Sequence, residues 1–315
     1  EPPAKWHPVV AMGRLAAYLE RVLRARASLF SADPDRGLFL AGTAGCLALA
    51  LAFCLPAALA TLLPGLVHPA LGAFCASACL WLTMAPRSLA EHARAVLRPL
   101  ARGSLPEARR MLVRIVGRET AELDAHAAAR ACVESVAENS TDGVTASLFW
   151  AFAGYLAGGF PLAAACCVLH RAVNTLDAMW GRTDSRYLFF GRFAARFDDV
   201  LNWLPARLSL PCTALAACLI RGLSGREAWR VGLGDRRAHE SPNSAWCEAA
   251  FSGGLGLRLG GPARYAGRAR NHPWLGEGTP DAKPRHIAQA VRLMHREAWL
   301  ACALYAALAG LSTLI

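Results

Sequence analysis

Residues 143–169 read GVTASLFWAFAGYLAGGFPLAAACCVL, with no Asp, Glu, Lys, Arg or His among them. About 20 such residues in a helix cross the hydrocarbon core of a bilayer, so this run sets the fold class as membrane-embedded helix. Polar islands flank it. Glu134, Glu138, Asn139 and Asp142 precede it, and Arg171, Asn174, Thr175 and Asp177 follow it. A third island, DDVLNWLPAR at 198–207, opens another apolar run. Ionisable groups at a membrane boundary are costly to desolvate, so their clustering there points to a site before it points to stability.

Further apolar windows lie at 38–63, 65–85, 200–220 and 298–315, in a chain of 315 residues that is 55% hydrophobic and 18% charged. That composition falls on the membrane side of soluble usage. The expectation is an all-α, polytopic helical integral membrane protein, built as one membrane-embedded catalytic domain over 1–315. Polar segments at 86–142, 171–199 and 221–297 are expected to form cytoplasmic helices and long Gly/Pro/Arg-rich loops. No stretch of 221–297 alternates for long enough to predict a sheet. A break is expected at Leu63-Pro64-Gly65. Arginines from Arg87 to Arg118 recur at helical steps, which predicts two or three helices split at Gly103-Ser104-Leu105-Pro106, with Ser104 as a cap.

Lys and Arg number 34 against 23 Asp and Glu, a formal charge of +11. A nucleic-acid binder would interleave a basic patch with exposed aromatics on a soluble domain, and the sequence offers none. Arginine beside apolar spans instead marks the cytoplasmic face and its anionic lipids. The eleven cysteines show no Cys-x-x-Cys pair and no Cys/His zinc spacing, and read as small buried hydrophobes. The first residue is Glu1, and the full chain is expected to carry an apolar helix ahead of His7-Pro8.

A single crossing by 143–169 would put the two flanking islands on opposite faces, although both flanks are rich in arginine. One resolution is a re-entrant hairpin broken at Gly158-Gly159-Phe160-Pro161, since irregular backbone at depth is allowed where protein surrounds it. The other is that the charge rule fails here.

Glu134, Glu138 and Asp142 stand at i, i+4 and i+8, which aligns their carboxylates on one face if the helix continues through them. Like charges so placed repel unless a cation sits among them, and Mg²⁺ bridging to phosphates is suited to Glu138 and Asp142. A solvated face with Arg130 pairing to Glu134 is an equal alternative. Arg171, Asn174, Thr175 and Asp177 form a polar helical face that reads either as a phosphate or polar-group site or as a hydrated helix end. Asp198-Asp199 suits an N-cap, which leaves Asn202 and Arg207 over as site candidates. Ser241-Pro242 suits a helix start, followed by Asn243, Trp246 and Glu248. Gly253, Gly254, Gly256, Gly260 and Gly261 permit close backbone approach, without P-loop spacing.

Taken in order, these strings resemble the adenosylcobinamide-phosphate synthase family of cobalamin biosynthesis, the CobD/CbiB type. The resemblance is carried by His7-Pro8-Val9, by Glu134-x-x-x-Glu138-Asn139-x-x-Asp142-Gly143, and by Asn174-Thr175-Leu176-Asp177. It continues through Asp198-Asp199-Val200-Leu201-Asn202-Trp203-x-Pro205-Ala206-Arg207, Ser241-Pro242-Asn243 with Trp246 and Glu248, and Leu259-Gly260-Gly261-Pro262. It runs from about residue 7 to 276. Ser147 and Cys247 stand where the family usually has proline, Glu240 departs from a usual His-Pro-Ser-Pro-Asn, and Ser244-Ala245 replaces Ala-Gly.

The resemblance implies a multi-pass inner-membrane ligase with its active site facing the cytoplasm. Such an enzyme uses ATP and Mg²⁺ to join the carboxylate of adenosylcobyric acid to aminopropanol phosphate or a related amino alcohol. Membrane lipids and other cobalamin-pathway enzymes are the further partners it implies. The catalytic residues it points to are Glu134, Glu138, Asn139, Asp142, Asp177, Asp198 and Asp199, with Glu138 and Asp142 as metal ligands. Substrate contacts fall to Arg171, Asn174, Thr175, Asn202, Arg207, Ser241, Asn243, Trp246 and Glu248. Two other classes stay open: an intramembrane metal-dependent phosphotransferase or prenyltransferase, whose Asp clusters Glu138 to Gly143 superficially resembles, and a non-catalytic corrinoid transporter or sensor.

Overall fold

The computed structural model describes residues 7–265 and 267–312. Its helices in chain order are α1 (Pro8–Arg24), α2 (Pro34–Val67), α3 (Pro69–Thr83), α4 (Pro86–Ala101), α5 (Leu105–Leu112), α6 (Ala125–Ser140), α7 (Ala146–Trp180), α8 (Arg192–Cys218), α9 (Gly225–Asp235), α10 (Ser244–Leu255) and α11 (Pro284–Ser312). Three helical stretches, Pro34–Val67, Pro69–Ala101 and Ala125–Trp180, are long and apolar enough to cross a membrane. The windows at 200–220 and 298–315 fall on α8 and α11, which are helical but are not among those three; residues 313–315 and Glu1 lie outside the described residues.

The chain divides into two compact units assembled from separate pieces. Unit 1 comprises Glu1–Met84, Ala146–Asn202 and Tyr305–Ile315, and unit 2 comprises Ala85–Thr145 and Trp203–Leu304. The core of unit 1 joins Met12 and Ala16 of α1, Ala41, Cys46 and Leu49 of α2, and Cys167, Leu176 and Trp180 of α7. That of unit 2 joins Val96 of α4, Val133 and Val136 of α6, Phe251 of α10 and Ile287 and Leu293 of α11.

Several local expectations change. The helix predicted to break at Leu63-Pro64-Gly65 runs through Pro64 to Val67, because the stop is supplied three residues later. His68 accepts a hydrogen bond from the Ala70 N–H at 3.2 Å and Pro69 takes the first position of α3. Ser104 stands at the start of α5 as expected, but its hydroxyl makes no capping bond. Asp198 and Asp199 are not caps, since α8 begins at Arg192 and carries both in its interior. Ser241-Pro242 does not open α10 either: Asn243 is the N-cap, and Ser241 Oγ accepts from the Asn243 N–H at 3.3 Å in the preceding turn.

The all-α expectation is also corrected by an antiparallel hairpin of β1 (Leu259–Tyr265) and β2 (Arg268–Leu275). The residues of β2 from Arg268 to Asn271 are exposed, His272 and Trp274 are half-buried and only Leu275 is buried, so hydrophobic alternation is not recorded there. Gly260 and Gly261, both at positive φ, make the irregularity in its register. Of the cysteines, all free, Cys218 and Cys302 are exposed rather than buried.

The decisive run folds back on itself. Gly158 and Gly159 take φ/ψ of −173/34° and 70/−158°, outside helical values. A Cβ placed on Gly154 would lie 2.4 Å from the Leu162 carbonyl oxygen. Ser147 Oγ stands 3.5 Å from His170 Nδ1, so residues 147 and 170, and 154 and 162, face each other across two antiparallel legs. From Ser147 to Gly158 the first leg rises about 18 Å at 1.5 Å per residue, short of the roughly 30 Å hydrocarbon core. The hairpin reading, rather than a straight crossing, is the one the backbone adopts. Pro161 sits at the start of the returning leg, where its missing N–H costs no helical bond.

Candidate functional site

Unit 2 holds a cavity of about 290 Å³. Its walls are the face of α6, the segment around Arg118, Glu248 of α10, and the β hairpin with Gly260, Gly261, Tyr265, Arg270 and His272. Ligand pockets run from about 300 to 1,000 Å³, so this one has room for a phosphorylated amine or a polyphosphate tail and not for a corrin macrocycle.

Glu134 is sealed in the cavity wall. Its carboxylate takes the Arg118 guanidinium at 2.6 Å on Oε2 and the Gly260 N–H at 2.7 Å on Oε1. Arg130, the partner expected from i, i+4 spacing, is farther off at 4.0 Å; its guanidinium instead donates to the Pro280 carbonyl and lies over Trp274. Glu134 therefore ties the hairpin and the Arg118 segment to α6. Asn139 Nδ2 donates back to the Ser135 carbonyl at 2.9 Å. Glu138 is exposed at the cavity.

The helix does not continue regularly to Asp142. Residues Thr141–Thr145 form a π-helical turn, which adds a residue per turn and rotates the helix beyond it. The i, i+4, i+8 face thus ends after Glu138. Such π turns inside α-helices recur at functional sites. Asp142 nevertheless acts on the same groups of α10 as Glu138 does, since the charges of both reach Cys247 and Glu248. Glu248 is buried, and burial, with Glu138 and Glu134 next in effect, pushes its carboxyl well above the usual range against the pull of Arg118. Among the described residues no group of three or more His, Cys, Asp or Glu is arranged as a closed metal site. Mg²⁺ does not need one, because one or two carboxylates plus substrate oxygens hold it, and the excess of negative charge around Glu248 fits a cation.

His239 and His272 stack at the cavity with ring centroids 6.2 Å apart and planes 9° from parallel. Burial, followed by repulsion from His272, holds His239 below its ordinary value. Sequence reading missed Arg118, Tyr265, Arg270 and the two histidines. β2 carries no hydrophobic alternation that would have marked Arg270 and His272 as cavity residues.

Arg207 forms a second cluster in unit 2. Its guanidinium lies 4.1 Å from the Trp203 ring and 5.0 Å from that of Trp246, and donates to Asn243 Oδ1 at 3.2 Å. Ser241, Asn243, Trp246 and Arg207, read from two separate islands of the sequence, are thereby brought together in unit 2. Arg207→Ala is expected to cost about 1 kcal/mol through the lost cation–π contacts, and Arg207→Lys to recover only part of it because the planar fork is lost. Thermal unfolding in detergent measures both.

Unit 1 holds the remaining candidates. Arg171 Nη1 donates to Asn174 Oδ1 at 3.3 Å, and Thr175 Oγ1 donates to the Arg171 carbonyl at 2.8 Å. Asp177 and Asp199 each act electrostatically on Asp198. Asn202, 1% exposed, donates through Nδ2 to Asp198 Oδ2 at 2.9 Å and accepts at Oδ1 from His170 Nε2 at 2.9 Å. Both ends of its amide are engaged inside the unit, so it serves Asp198 rather than a substrate.

A further cluster in unit 1, unforeseen from sequence, pins α1 to the 182–191 segment. Glu20 accepts from Arg24 Nε at 3.1 Å, Arg186 Nη2 at 2.8 Å and Tyr187 Oη at 3.2 Å.

The family described as CobD/Cbib protein matches residues 1–294. The cobalamin biosynthesis protein CbiB of Salmonella choleraesuis is 41% identical over 314 residues, covering 99% of this chain and 94% of its own. The cobalamin biosynthesis protein CobD of Klebsiella pneumoniae is 42% identical over 305 residues, 97% of this chain and 91% of its own. That of Chromobacterium violaceum is 44% identical over 304 residues, 96% and 90% respectively. No solved structure matches the chain. With the family matching residues 1–294 and relatives matched nearly end to end, this chain belongs to the CobD/CbiB family of cobalamin biosynthesis proteins.

Proposed function

We propose that this chain is an adenosylcobinamide-phosphate synthase, a multi-pass inner-membrane enzyme with its active site facing the cytoplasm. It joins the free carboxylate of adenosylcobyric acid to aminopropanol phosphate, or a related amino alcohol, at the expense of ATP. Besides family membership, one observation supports this chemistry: carboxylates able to hold a divalent cation and guanidinium groups able to meet phosphate line the same cavity.

Mg²⁺, held by Glu138 and Asp142, would neutralise phosphate oxygens of bound ATP. Arg270 at the unit 2 cavity supplies a guanidinium fork for phosphate oxygens, and Arg207 in unit 2 and Arg171 in unit 1 are each proposed as phosphate contacts within their own unit. The corrin carboxylate attacks the γ-phosphate and releases ADP, leaving an acyl phosphate. Asp198, seconded by Asp177 and Asp199, takes a proton from the ammonium group. The freed amine then attacks the acyl carbonyl, the carbonyl C–O bond to phosphate breaks, and inorganic phosphate leaves carrying the second amine proton. The proposed substrate contacts are Asn174 and Thr175 in unit 1 and, separately, Ser241, Asn243, Trp246 and Glu248 in unit 2.

The test is an assay of the purified chain in nanodiscs with adenosylcobyric acid, Mg-ATP and aminopropanol phosphate, following corrinoid mass and ADP. Equimolar amide and ADP are expected. Glu138→Gln and Asp142→Asn should each lower the rate about a hundredfold, the scale of losing a metal-site partner. Wild-type rates in both would remove the metal assignment, and corrinoid binding with neither product would remove the ligase.

A further inference from the structure

In unit 1, the motif residues Asp198 and Asn202 end a buried chain of hydrogen bonds that begins outside the motif strings, at Ser147 and His170. Ser147 Oγ lies 3.5 Å from His170 Nδ1, His170 Nε2 lies 2.9 Å from Asn202 Oδ1, and Asn202 Nδ2 lies 2.9 Å from Asp198 Oδ2. Ser147 and His170 are 0% exposed, Asn202 1% and Asp198 8%. Water cannot substitute for a partner lost here, and an unpaired buried polar atom is costly. The chain also crosses elements: Ser147 and His170 come from opposite legs of the α7 hairpin, and Asn202 and Asp198 from successive turns of α8.

The direction of each bond follows from what each atom is able to do. A carboxylate only accepts, so Asn202 must turn its NH₂ toward Asp198 and its carbonyl oxygen toward His170. That oxygen also only accepts, so His170 must carry its proton on Nε2, which leaves Nδ1 as acceptor for the Ser147 hydroxyl. Take the imidazole away and only Asp198 itself holds the Asn202 amide. The ionised carboxylate still calls for the NH₂, but a protonated Asp198 can donate to an amide oxygen turned toward it, and that added alternative favours the protonated form.

We propose that His170 is a positioning residue for Asp198, holding the Asn202 amide in the one orientation that donates to the ionised carboxylate. The inference rests on the proposed role of Asp198 as proton acceptor for the amine. An acceptor must be ionised before it takes the proton, and burial, with Asp177 next in effect, pushes Asp198 up to about 7. The charged groups facing it are Asp177 from α7 and Asp199 from its own helix, both opposing ionisation, while Asn202 and Asn174 favour it. The Asn202 donor therefore works where the carboxylate is poised between its two states. Losing it raises the pH at which Asp198 ionises, and activity that depends on the carboxylate falls away at a higher pH than in the wild type.

The experiment measures kcat and KM for the amine across the pH range around 7, on the full chain in nanodiscs. The variants are His170→Ala, His170→Gln, Asn202→Ala, the double variant His170→Ala/Asn202→Ala, and Asp198→Asn. His170→Ala should move the acid limb of kcat up by about one pH unit, the size expected for a lost hydrogen bond to a charged group, with KM little changed. His170→Gln, whose amide NH₂ is able to donate to Asn202 Oδ1, should return most of that shift. The double variant should be no worse than Asn202→Ala alone, because both remove one interaction. An acid limb at the wild-type position in His170→Ala and His170→Gln, with only thermal stability reduced, would overturn the positioning role while leaving Asp198 as base intact. Should Asp198→Asn turn over at the wild-type rate, the base assignment fails and the inference fails with it.

Discussion

Arg118→Ala is expected to destabilise unit 2 by about 3–5 kcal/mol, the range for removing one partner of a buried ion pair, and to abolish the cavity beside it. The side chains of Arg118 and Glu134 are 19% and 5% exposed, and their charged atoms meet at 2.6 Å. Without the guanidinium, Glu134 keeps the Gly260 N–H at 2.7 Å and a distant Arg130 at 4.0 Å. Neither replaces a full charge in contact. The carboxylate then has to be desolvated alone or take up a proton, and either outcome loosens the bond that holds β1 against α6. The loss does not stop there, because Arg118 also opposes the accumulated negative charge around Glu248. Thermal unfolding of wild type, Arg118→Ala and Glu134→Gln in detergent measures the effect. Removing both charges in Arg118→Met/Glu134→Gln should recover much of the stability, since a buried pair replaced as a pair costs far less than a broken one. A single variant as stable as wild type would show that the pair is solvated.

The helical windows and the order of the polar islands were readable because they rest on local signals: hydropathy over some twenty residues, and short strings of chemically demanding residues. Partnerships formed over long sequence distances were not. Arg118 appeared as one more arginine in a basic row, and nothing local distinguishes it from its neighbours. Its partner lies sixteen residues on, across the break between α5 and α6. The π turn was equally hidden. Thr141–Thr145 has no proline and no composition that would mark an inserted residue. His170 follows directly on the apolar run and nothing local marks its role, although a fully buried imidazole has to satisfy two nitrogens. Asp198-Asp199 illustrates the opposite error. The pair has the composition of a cap, and only the earlier start of α8 shows that it is helix interior.

Gly154→Leu is expected to prevent the α7 hairpin from closing. The Cβ alone would fall 2.4 Å from the Leu162 carbonyl oxygen and 2.7 Å from its carbon. Both are backbone atoms of the opposing leg, so no rotamer change relieves the contact and the legs must separate. Overpacking of a core commonly costs about 1–3 kcal/mol and sometimes more, and a leucine against backbone belongs at or beyond the upper end. Separation would also pull Ser147 from His170, whose 3.5 Å contact depends on the same register. Gly234→Ala supplies the control of opposite sign. It lies in α9 with no atom within 4 Å of the added carbon and no positive φ, so alanine there gains about 1 kcal/mol of helix propensity. Melting in nanodiscs should fall sharply for Gly154→Leu and hold or rise for Gly234→Ala. If Gly154→Leu melted with the wild type, residues 143–169 would have to run straight, and the two islands beside them would leave the membrane on opposite faces.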